Sequence, residues 1–432
     1  MIESILKAGD EAGFTASEVF HCKVDRREYH RDAKTQTIHE SQANRMLIRA
    51  FWENSEPVGI GLSNPDLRTV RHRLADVRAA VMTGRRRSFA HLLPAAVERM
   101  KLVIMDDAYE QIGDSHLLEL IDKTNESLVS FPGLHLVRFS FAKSLKKVQL
   151  ANSNGLTAKY RKTNYVLTLS FARDGDLVDI SENRIRFSQL NPERLVARAF
   201  NLLGAMVDTE PQETANQALI LSPEAAAVIL NELADGFKLD QAIKRGKPIL
   251  AAATVTLADH PLLDEQSGSV PFDDEGVTGK EKLLINKGMF MTHVSDIRTA
   301  FMQGRSSTGN GFRDERGVVP QIQFSNFYVK PGAFALDSLL DEAGQGVLVP
   351  LLRLKSMDRQ RGESVFSAYG YGFKDREIGR PVHFYLKTLL RSFLLRVQKV
   401  SKELRFFQFR SNVGSPYLLL SGRFDGSGMY LI

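Results

Sequence analysis

The chain has 432 residues, of which 43% are hydrophobic and 25% are charged, and these fractions are ordinary for a folded globular protein. They argue against disorder and a fibrous repeat, and the length predicts two domains rather than one core. The net charge of +6 is a small excess of 57 basic over 51 acidic residues, which gives little support to nucleic-acid binding.

Neither the N-terminus nor any apolar stretch indicates export or a membrane. Glu3 and Asp10 lie where a secretory signal would be basic and then continuously apolar. No stretch approaches the roughly 18 apolar residues that span a bilayer. Cys22 is the only cysteine, so an internal disulfide and a cysteine-based metal site are both excluded. We expect a cytoplasmic protein with no membrane contact.

The N-terminal half has the pattern of helices with one sheet. After an amphipathic helix, alternation over 17–62 predicts strands, and Asn64-Pro65-Asp66 predicts the cap and first turn of a long helix. A second unit begins with a helix near 114–125 and continues in alternating segments. Asn154-Gly155 and Asp174-Gly175 are typical of tight hairpin turns, in which both positions take positive φ. The sheet is therefore expected to be largely antiparallel.

A polar, proline-containing stretch over 208–217 marks the predicted main boundary. We predict an N-terminal α/β domain over 1–207, with a mixed or antiparallel sheet and units of about 1–90 and 110–207. The second domain, over 218–432, is predicted to be β-rich with few helices, as a barrel-like or sandwich domain. The fold class is therefore α+β.

The densest basic segment allows two interpretations. Arg85-Arg86-Arg87, with Arg68, Arg71, Arg73 and Arg78 before it, could form a phosphate-contacting helix face. Such runs more often belong to a solvated helix and its end. Because no nucleic-acid-binding motif accompanies the charge, we do not expect a nucleic-acid partner.

Five short motifs follow one another in the C-terminal half. An Asp-x-Pro turn precedes a DDEG turn, an x-N-x-G hairpin, an STGN loop and a Ser-Asn strand, which here are Asp259-His260-Pro261, Asp273-Asp274-Glu275-Gly276, Ile285-Asn286-Lys287-Gly288, Ser307-Thr308-Gly309-Asn310 and Ser325-Asn326. Each motif alone is a weak signal. In this order they make the chain resemble the TldD/PmbA family, and weaker landmarks extend the resemblance to nearly the whole chain.

The resemblance implies an N-terminal α/β part, a C-terminal β-rich part and a heterodimer. In such pairs one subunit carries zinc on a helix with an HExxxH pattern, and the pair is a metallopeptidase that processes or degrades unfolded peptides. Here the corresponding helix, predicted over 222–237, has Asn231 and Gly236 at the two histidine positions and retains Glu232. Asparagine and glycine do not supply zinc ligands, and without a metal Glu232 has no zinc-bound water to deprotonate. The family's additional cysteine ligand is also missing.

These changes predict a particular type of family member. We expect no catalytic residue and no metal on this chain, and zinc on a TldD-like partner subunit. The leading hypothesis is a non-catalytic PmbA/TldE-like subunit of a heterodimeric metallopeptidase that acts on unfolded peptides. The alternative is a stand-alone peptide-binding or scaffolding homodimer without peptidase activity. A gyrase-linked nucleic-acid role, suggested by the family's older name, is a third.

A polar loop and one strand residue are the candidates for substrate binding. Arg305, Asn310 and Arg313, together with Asn326, could hold a peptide main chain, and a solvated loop is the other interpretation. The acidic residues of the DDEG turn could bind a divalent cation, but short acids that bond the backbone of a turn explain the pattern better.

Two other enzyme motifs fail on spacing. His39-Glu40 begins like a zinc motif, but no second histidine follows and the alternating segment predicts a surface strand. Ser306 and Ser307 lie in a glycine-flanked loop downstream of His293, yet the Gly-x-Ser-x-Gly spacing of a nucleophile elbow is missing.

Overall fold

The structure is a computed structural model. It describes residues 1–52, 56–63, 66–80, 89–206, 217–245, 249–314, 317–358, 361–425 and 428–431. The arginine run at 85–87, the predicted cap at 64–65 and most of the predicted boundary at 208–217 lie outside these residues.

The helices are short and most are amphipathic. They are α1 (Ile2–Glu11), α2 (Leu67–Ala80), α3 (Asp114–Leu128), α4 (Pro192–Ala205), α5 (Pro223–Ala234), α6 (Leu239–Arg245), α7 (Ile297–Met302), α8 (Leu336–Ala343) and α9 (Leu390–Phe393). Short 3-10 turns include Asp235–Phe237, directly after α5. Within the described residues, none of the helices has the length and apolar character needed to cross a membrane.

The strands fall into two groups along the chain. The first group is β1 (Ala16–Asp32), β2 (Gln36–Phe51), β3 (Val58–Ser63), β4 (His135–Asn152), β5 (Thr157–Arg173) and β6 (Asp176–Arg184). The second group is β7 (Gln217–Leu221), β8 (Leu257–Asp259), β9 (Lys282–Asn286), β10 (Met289–Phe290), β11 (Gly311–Phe312), β12 (Gln321–Ile322), β13 (Asn326–Val329), β14 (Gln345–Asp358), β15 (Glu363–Lys374), β16 (Glu377–Leu389), β17 (Val397–Val400), β18 (Arg405–Gln408), β19 (Asn412–Ser415), β20 (Leu418–Asp425) and β21 (Gly428–Leu431).

The first group forms one antiparallel sheet in the order β3-β2-β1-β4-β5-β6. At the β5–β6 turn both Asp174 and Gly175 have positive φ, as predicted. At the β4–β5 turn only Gly155 does, because the side chain of Asn152 accepts bonds from the backbone of Asn154 and Leu156 and forms a longer turn. The antiparallel sheet is therefore confirmed, but one of its two turns differs from the prediction.

The two faces of this sheet have different partners because side chains alternate along each strand. One face is covered by helices: Val70 and Leu74 of α2 pack with α1 on β1 and β2, and α3 and α4 cover β4 to β6. The opposite face packs on the C-terminal half, where Phe20 and Leu150 lie in one cluster with Phe272. Val318 lies so close to Gly59 of β3 that a Cβ added at position 59 would be 2.6 Å from one of the methyl groups of Val318.

The second group forms two larger sheets and one small one. Their orders are β10-β9-β8-β13-β19-β18, β17-β20-β21-β16-β15-β14-β7 and β11-β12, and β7 also pairs with β20. Helix α5 contacts strands of both larger sheets and shares a core with them that includes Leu230, Phe327 and Phe366. The α+β class and the β-rich C-terminal part are thus confirmed, while the exact domain ranges stay a prediction.

One partly buried lysine connects the N-terminal sheet to the C-terminal half. Lys162 of β5 donates from Nζ to the backbone oxygen of Ser269 at 2.9 Å and to that of Ser267. Burial, with a smaller contribution from neighbouring Lys146, lowers the pKa of Lys162 to about 7. The Nζ of Lys162 is therefore only partly protonated near neutral pH.

The stability of the fold should rise with pH above neutrality because of Lys162. Between about pH 7 and 10.5 the unfolded lysine binds a proton that the folded one has lost, so the free energy of unfolding increases with pH. We expect an increase of about 2 kcal/mol between pH 7 and 9 in chemical denaturation. Lys162→Gln should remove this slope, and Lys159→Gln, at an exposed position of the same strand, should keep it. An unchanged slope in Lys162→Gln would contradict the assignment.

Candidate functional site

Helix α5 is the centre of the C-terminal core. Ser222 caps it by accepting a bond from the backbone of Ala225 at 3.2 Å, and Pro223 occupies the first turn. Ile229 and Leu230 are fully buried. The helix predicted over 222–237 is present, with its last three residues in the 3-10 turn Asp235–Phe237.

The positions that would carry zinc ligands are occupied differently in this chain. Asn231 donates from Nδ2 to Oε1 of Glu232 at 2.9 Å, so the two side chains bond to each other. At Gly236 an added Cβ would lie 2.6 Å from Cδ1 of Ile249. The space beside position 236 is therefore filled by an apolar side chain.

The residues present do not fit a zinc ion at this helix. A catalytic zinc needs three nitrogen, sulfur or carboxylate ligands with one open position, and of the three positions 231, 232 and 236 only Glu232 offers one. Among the described residues, no group of three or more His, Cys, Asp and Glu side chains is placed to hold a metal. Cys22 lies on β1, and His39 pairs with Glu28 across the β1–β2 ladder.

The DDEG turn lies where the two halves of the chain meet, and a buried ion network surrounds it. Arg49 of β2 bonds from Nη2 to Oε2 of Glu18 at 2.8 Å and from Nη1 to Oε1 of Glu275 at 2.7 Å. Arg313 also pairs with Glu18. All four side chains are at most 2% exposed. Glu275 additionally accepts a bond from the backbone of Ile297 at the start of α7.

The network contains two cationic and two anionic side chains, so its charges balance. Burial alone would raise the pKa of Glu18, but the guanidinium groups of Arg49 and Arg313 hold it below its ordinary value. Burial raises the pKa of Glu275, and Arg49 opposes that rise. A buried charge without a partner is costly, so each of the four side chains depends on the others.

Asp273 shapes the turn itself. Its Oδ1 accepts bonds from the backbone of Glu275 and Val277 at 3.0 and 2.9 Å, and its Oδ2 accepts one from Gly311 at 2.8 Å. Gly276 has a φ of 82°, where a Cβ would also meet Leu156 at 2.4 Å. The turn thus uses its short acid for backbone hydrogen bonds, which is the interpretation that the sequence favoured over a cation site.

A second buried polar cluster joins the remaining motifs. Asp259 accepts bonds from Nδ2 of Asn310 at 2.7 Å, from Nζ of Lys282 at 3.0 Å, and from the backbone and hydroxyl of Ser325 at 2.8 and 2.7 Å. Asn326 donates to the backbone oxygen of His260 at 2.7 Å and to Oγ of Ser269 at 2.8 Å. Nδ2 of Asn412 in turn donates to Asn326 at 2.8 Å.

The four candidate substrate-binding residues are therefore placed very differently. Asn310 and Asn326 are fully buried, and the side chain of Arg313 is 1% exposed. Arg305 alone is exposed, on the loop after α7. The solvated-loop interpretation holds for Arg305 and is wrong for Asn310 and Arg313. Whether any of the four contacts substrate stays a prediction.

Sequence reasoning missed Glu18, Arg49, Lys282 and Asn412. A usable signal existed for Arg49, which lies within the otherwise apolar segment Leu47-Ile48-Arg49-Ala50-Phe51, and none existed for Glu18, which follows Ser17. The sequence contained no comparable signal for Lys282 or Asn412. The serine candidate is not supported, because Oγ of Ser307 donates to the backbone oxygen of Ser295 at 3.2 Å.

Similar proteins were found by sequence and by structure. Residues 214–423 match the family model of the PmbA/TldA metallopeptidase C-terminal domain. A protein of Methanothermobacter thermautotrophicus named Metalloprotease is 24% identical over 63% of this chain and 61% of its own length. The Metalloprotease PmbA homolog of Buchnera aphidicola is 24% identical over 62% of this chain and 60% of its own length. The chain thus spans less than two thirds of either relative.

The crystal structure of TldE from Thermococcus kodakarensis has the same fold. Its TM-score is 0.86 at 19% identity, and the superposition covers 97% of this chain and 98% of that one. At this identity the likeness concerns the fold, and it includes both halves of the chain.

Removal of the central guanidinium should destabilise the whole fold. Arg49→Met keeps most of the side-chain volume but leaves Glu275 buried without its cation, so the free energy of unfolding should fall by about 3–5 kcal/mol. Lys123→Met breaks the exposed pair with Glu119, which water screens, and should change the free energy of unfolding far less. Chemical denaturation measures both. A loss of under about 1 kcal/mol for Arg49→Met would show that the network does not hold the halves together.

Proposed function

Because this chain belongs to the TldD/PmbA family, we propose that it is a non-catalytic, PmbA/TldE-like subunit of a heterodimeric zinc metallopeptidase. The pair would process or degrade unfolded peptides, with zinc on the TldD-like partner. The observation that carries this proposal is the end of α5, where Ile249 fills the space beside Gly236.

The helix has the character of a core element rather than of a ligand carrier. Its inward residues are apolar and buried, and its cap at Ser222 is intact. Only the ligand positions depart from the zinc pattern, since Asn231 bonds to Glu232 and Gly236 has no side chain. A scaffold kept without its ligands is what a subunit that supports a catalytic partner would need.

The partner and the substrate belong to the same proposal. A peptide held through main-chain hydrogen bonds would need to be unfolded, and such bonds accept many sequences. Arg305 is the exposed member of the predicted substrate loop and the one that could reach a peptide directly. The buried Asn310, Arg313 and Asn326 would act by fixing the shape of that loop and its surroundings.

Zinc content and cleavage, measured on the chain alone and in the pair, test the proposal. The chain would be purified by itself and together with the HExxxH-bearing homologue of the same genome. We expect neither zinc nor cleavage of unfolded casein for the chain alone, and zinc with cleavage for the pair. Stoichiometric zinc and cleavage by the lone chain would refute the proposal. If the chain forms a homodimer and does not bind the homologue, the stand-alone alternative is favoured.

Restoring the two histidines should not restore a zinc site. In Asn231→His/Gly236→His the second imidazole would enter the space of Ile249, so overpacking should cost about 1–3 kcal/mol of unfolding free energy. Equilibrium dialysis should detect no zinc bound at micromolar concentrations. Asn231→His alone, at a half-buried position, serves as the matched control and should cost less than the double variant. Tight zinc binding by the double variant would show that Ile249 does not block the site.

A further inference from the structure

The first part of β2 is paired on one side only. This strand pairs with β1 along its whole length, whereas β3 covers it only from Arg45 to Ala50. The nine residues 36–44 therefore form a free edge of the N-terminal sheet. Residues 36–42 are all exposed, and no described residue bonds to the outer side of the main chain over 36–44. We call this stretch the open edge.

Alternate residues of the open edge direct their main-chain groups away from the sheet. The carbonyl of Thr35 accepts a bond from the amide of Asp32 at 3.0 Å, and at the other end of β2 the carbonyl of Phe51 accepts one from Thr15 at 2.9 Å. Both carbonyls are thus directed at the β1 side. Because hydrogen bonding alternates between the two sides of a strand, and the register with β1 has no break, the even-numbered residues point outward. They are Gln36, Ile38, Glu40, Gln42 and Asn44.

The open edge lacks the features that usually prevent strand addition. Proteins protect long free edges with lysine, proline, a bulge or a covering segment. Residues 36–44 contain no lysine, arginine or proline, and their pairing with β1 has no bulge. The opposite edge, β6, is partly covered, since Asn183 bonds to Gln408 at 3.3 Å and the carbonyl of Leu177 accepts a bond from Arg353 at 3.3 Å. A long, regular and unprotected edge indicates a place where a strand is added.

A cavity of about 510 Å³ adjoins the open edge on the helix-covered face of the sheet. Glu40 and Gln42 line it from the edge, and its lining contains three cationic and three acidic side chains. Arg27 of β1 pairs there with Glu40 at 3.3 Å, and Nζ of Lys143 donates to the carbonyl of Ile112 at 2.6 Å. The cavity therefore gives room to a side chain of an added strand without requiring one sign of charge.

We propose that the open edge captures unfolded peptide as an added β-strand. This rests on the proposed function and deepens it, because this subunit would hold the substrate of the pair at a second place. Main-chain hydrogen bonds accept many sequences and require an extended chain, so folded proteins are excluded. Glu40 lies nine residues before Arg49, about 30 Å along the strand, so the open edge is separate from the DDEG turn.

A second copy of this chain fits the open edge less well. Two copies of the edge would pair antiparallel about a two-fold axis. In the register that uses all nine residues, Glu40 would lie directly opposite Glu40 of the copy, and like charges at opposite positions destabilise a sheet. Other symmetric registers leave part of the edge unpaired. An unfolded peptide has no such constraint, since it can adopt whichever register suits its sequence.

Proline at outward-facing positions tests the open edge. Ile38→Pro/Gln42→Pro removes two outward amides and no hydrogen bond to β1, so the fold should persist, as the melting temperature will check. The matched Ile38→Thr/Gln42→Thr keeps both amides. Fluorescence anisotropy would use labelled, reduced and carboxymethylated α-lactalbumin as the unfolded probe. We expect the Kd to weaken by about tenfold or more in the proline variant and to stay within about twofold in the threonine variant.

Hydrogen exchange on the wild-type chain gives a measurement that needs no variant. The outward amides of the open edge face solvent in the free chain, so they should exchange rapidly. Binding of the α-lactalbumin probe should slow exchange in the fragment that contains residues 36–44. The fragment that contains β6 should exchange as before. Slowed exchange at β6 with no change at 36–44 would place the peptide at the other edge and overturn the proposal.

The remaining outcomes separate this proposal from the proposed function. Binding of the probe by the proline variant with wild-type affinity would overturn it, and so would equal loss of binding in both variants, which would assign binding to side chains. Loss of self-association or of pairing with the homologue in the proline variant would make the edge a subunit contact instead. If the pair cleaves casein while the chain does not bind the probe, only the open edge is refuted. Zinc and cleavage in the lone chain would refute the proposed function alone.

Discussion

The position of the N-terminal sheet on the rest of the chain depends on one buried guanidinium. Arg49 reaches Glu18 on the neighbouring strand and Glu275 in the DDEG turn, and Arg313 completes the balance of charge. Such a network is satisfied in one geometry only, because a shift of either half would leave a buried charge without a partner. Apolar packing at Phe20 and Phe272 supplies contact area, and the network fixes the register of that contact.

The motifs that mark the family are also the points that need fixed geometry. Asp259 gathers bonds from the STGN loop and the Ser-Asn strand, and Asp273 gathers bonds from its own turn and from Gly311. Both carboxylates accept their hydrogen bonds from backbone amides or buried side chains of the protein. Neither cluster includes Asn231, Glu232 or Gly236 at the end of α5. These motifs therefore describe a scaffold of buried hydrogen bonds.

Interactions between residues that are close in the chain could be predicted from the sequence, whereas those between distant residues could not. The capped helix at Ser222 and the turn at Asp174-Gly175 depend on neighbours in the chain, and both were recognised. The partners of Arg49 lie 31 and 226 positions away, and a charged residue on a strand normally indicates solvent. The same assumption failed for Asn310 and Arg313, which the sequence placed in a loop and the fold buries. Periodicity identifies elements, but it does not reveal which polar residues find a buried partner.

One short segment fills the space beside Gly236 and also has an outward side. Ile249 points inward and is 6% exposed, where it occupies the room beside Gly236, whereas Leu250 is 48% exposed. Ile249 and Leu250 thus lie on opposite sides of this segment, one buried and one facing outward. The same loop bonds to α9 through the amide of Leu250. The segment therefore fixes the end of α5 from two sides, by packing Ile249 beside Gly236 and by its hydrogen bonds to α9 and to Leu394.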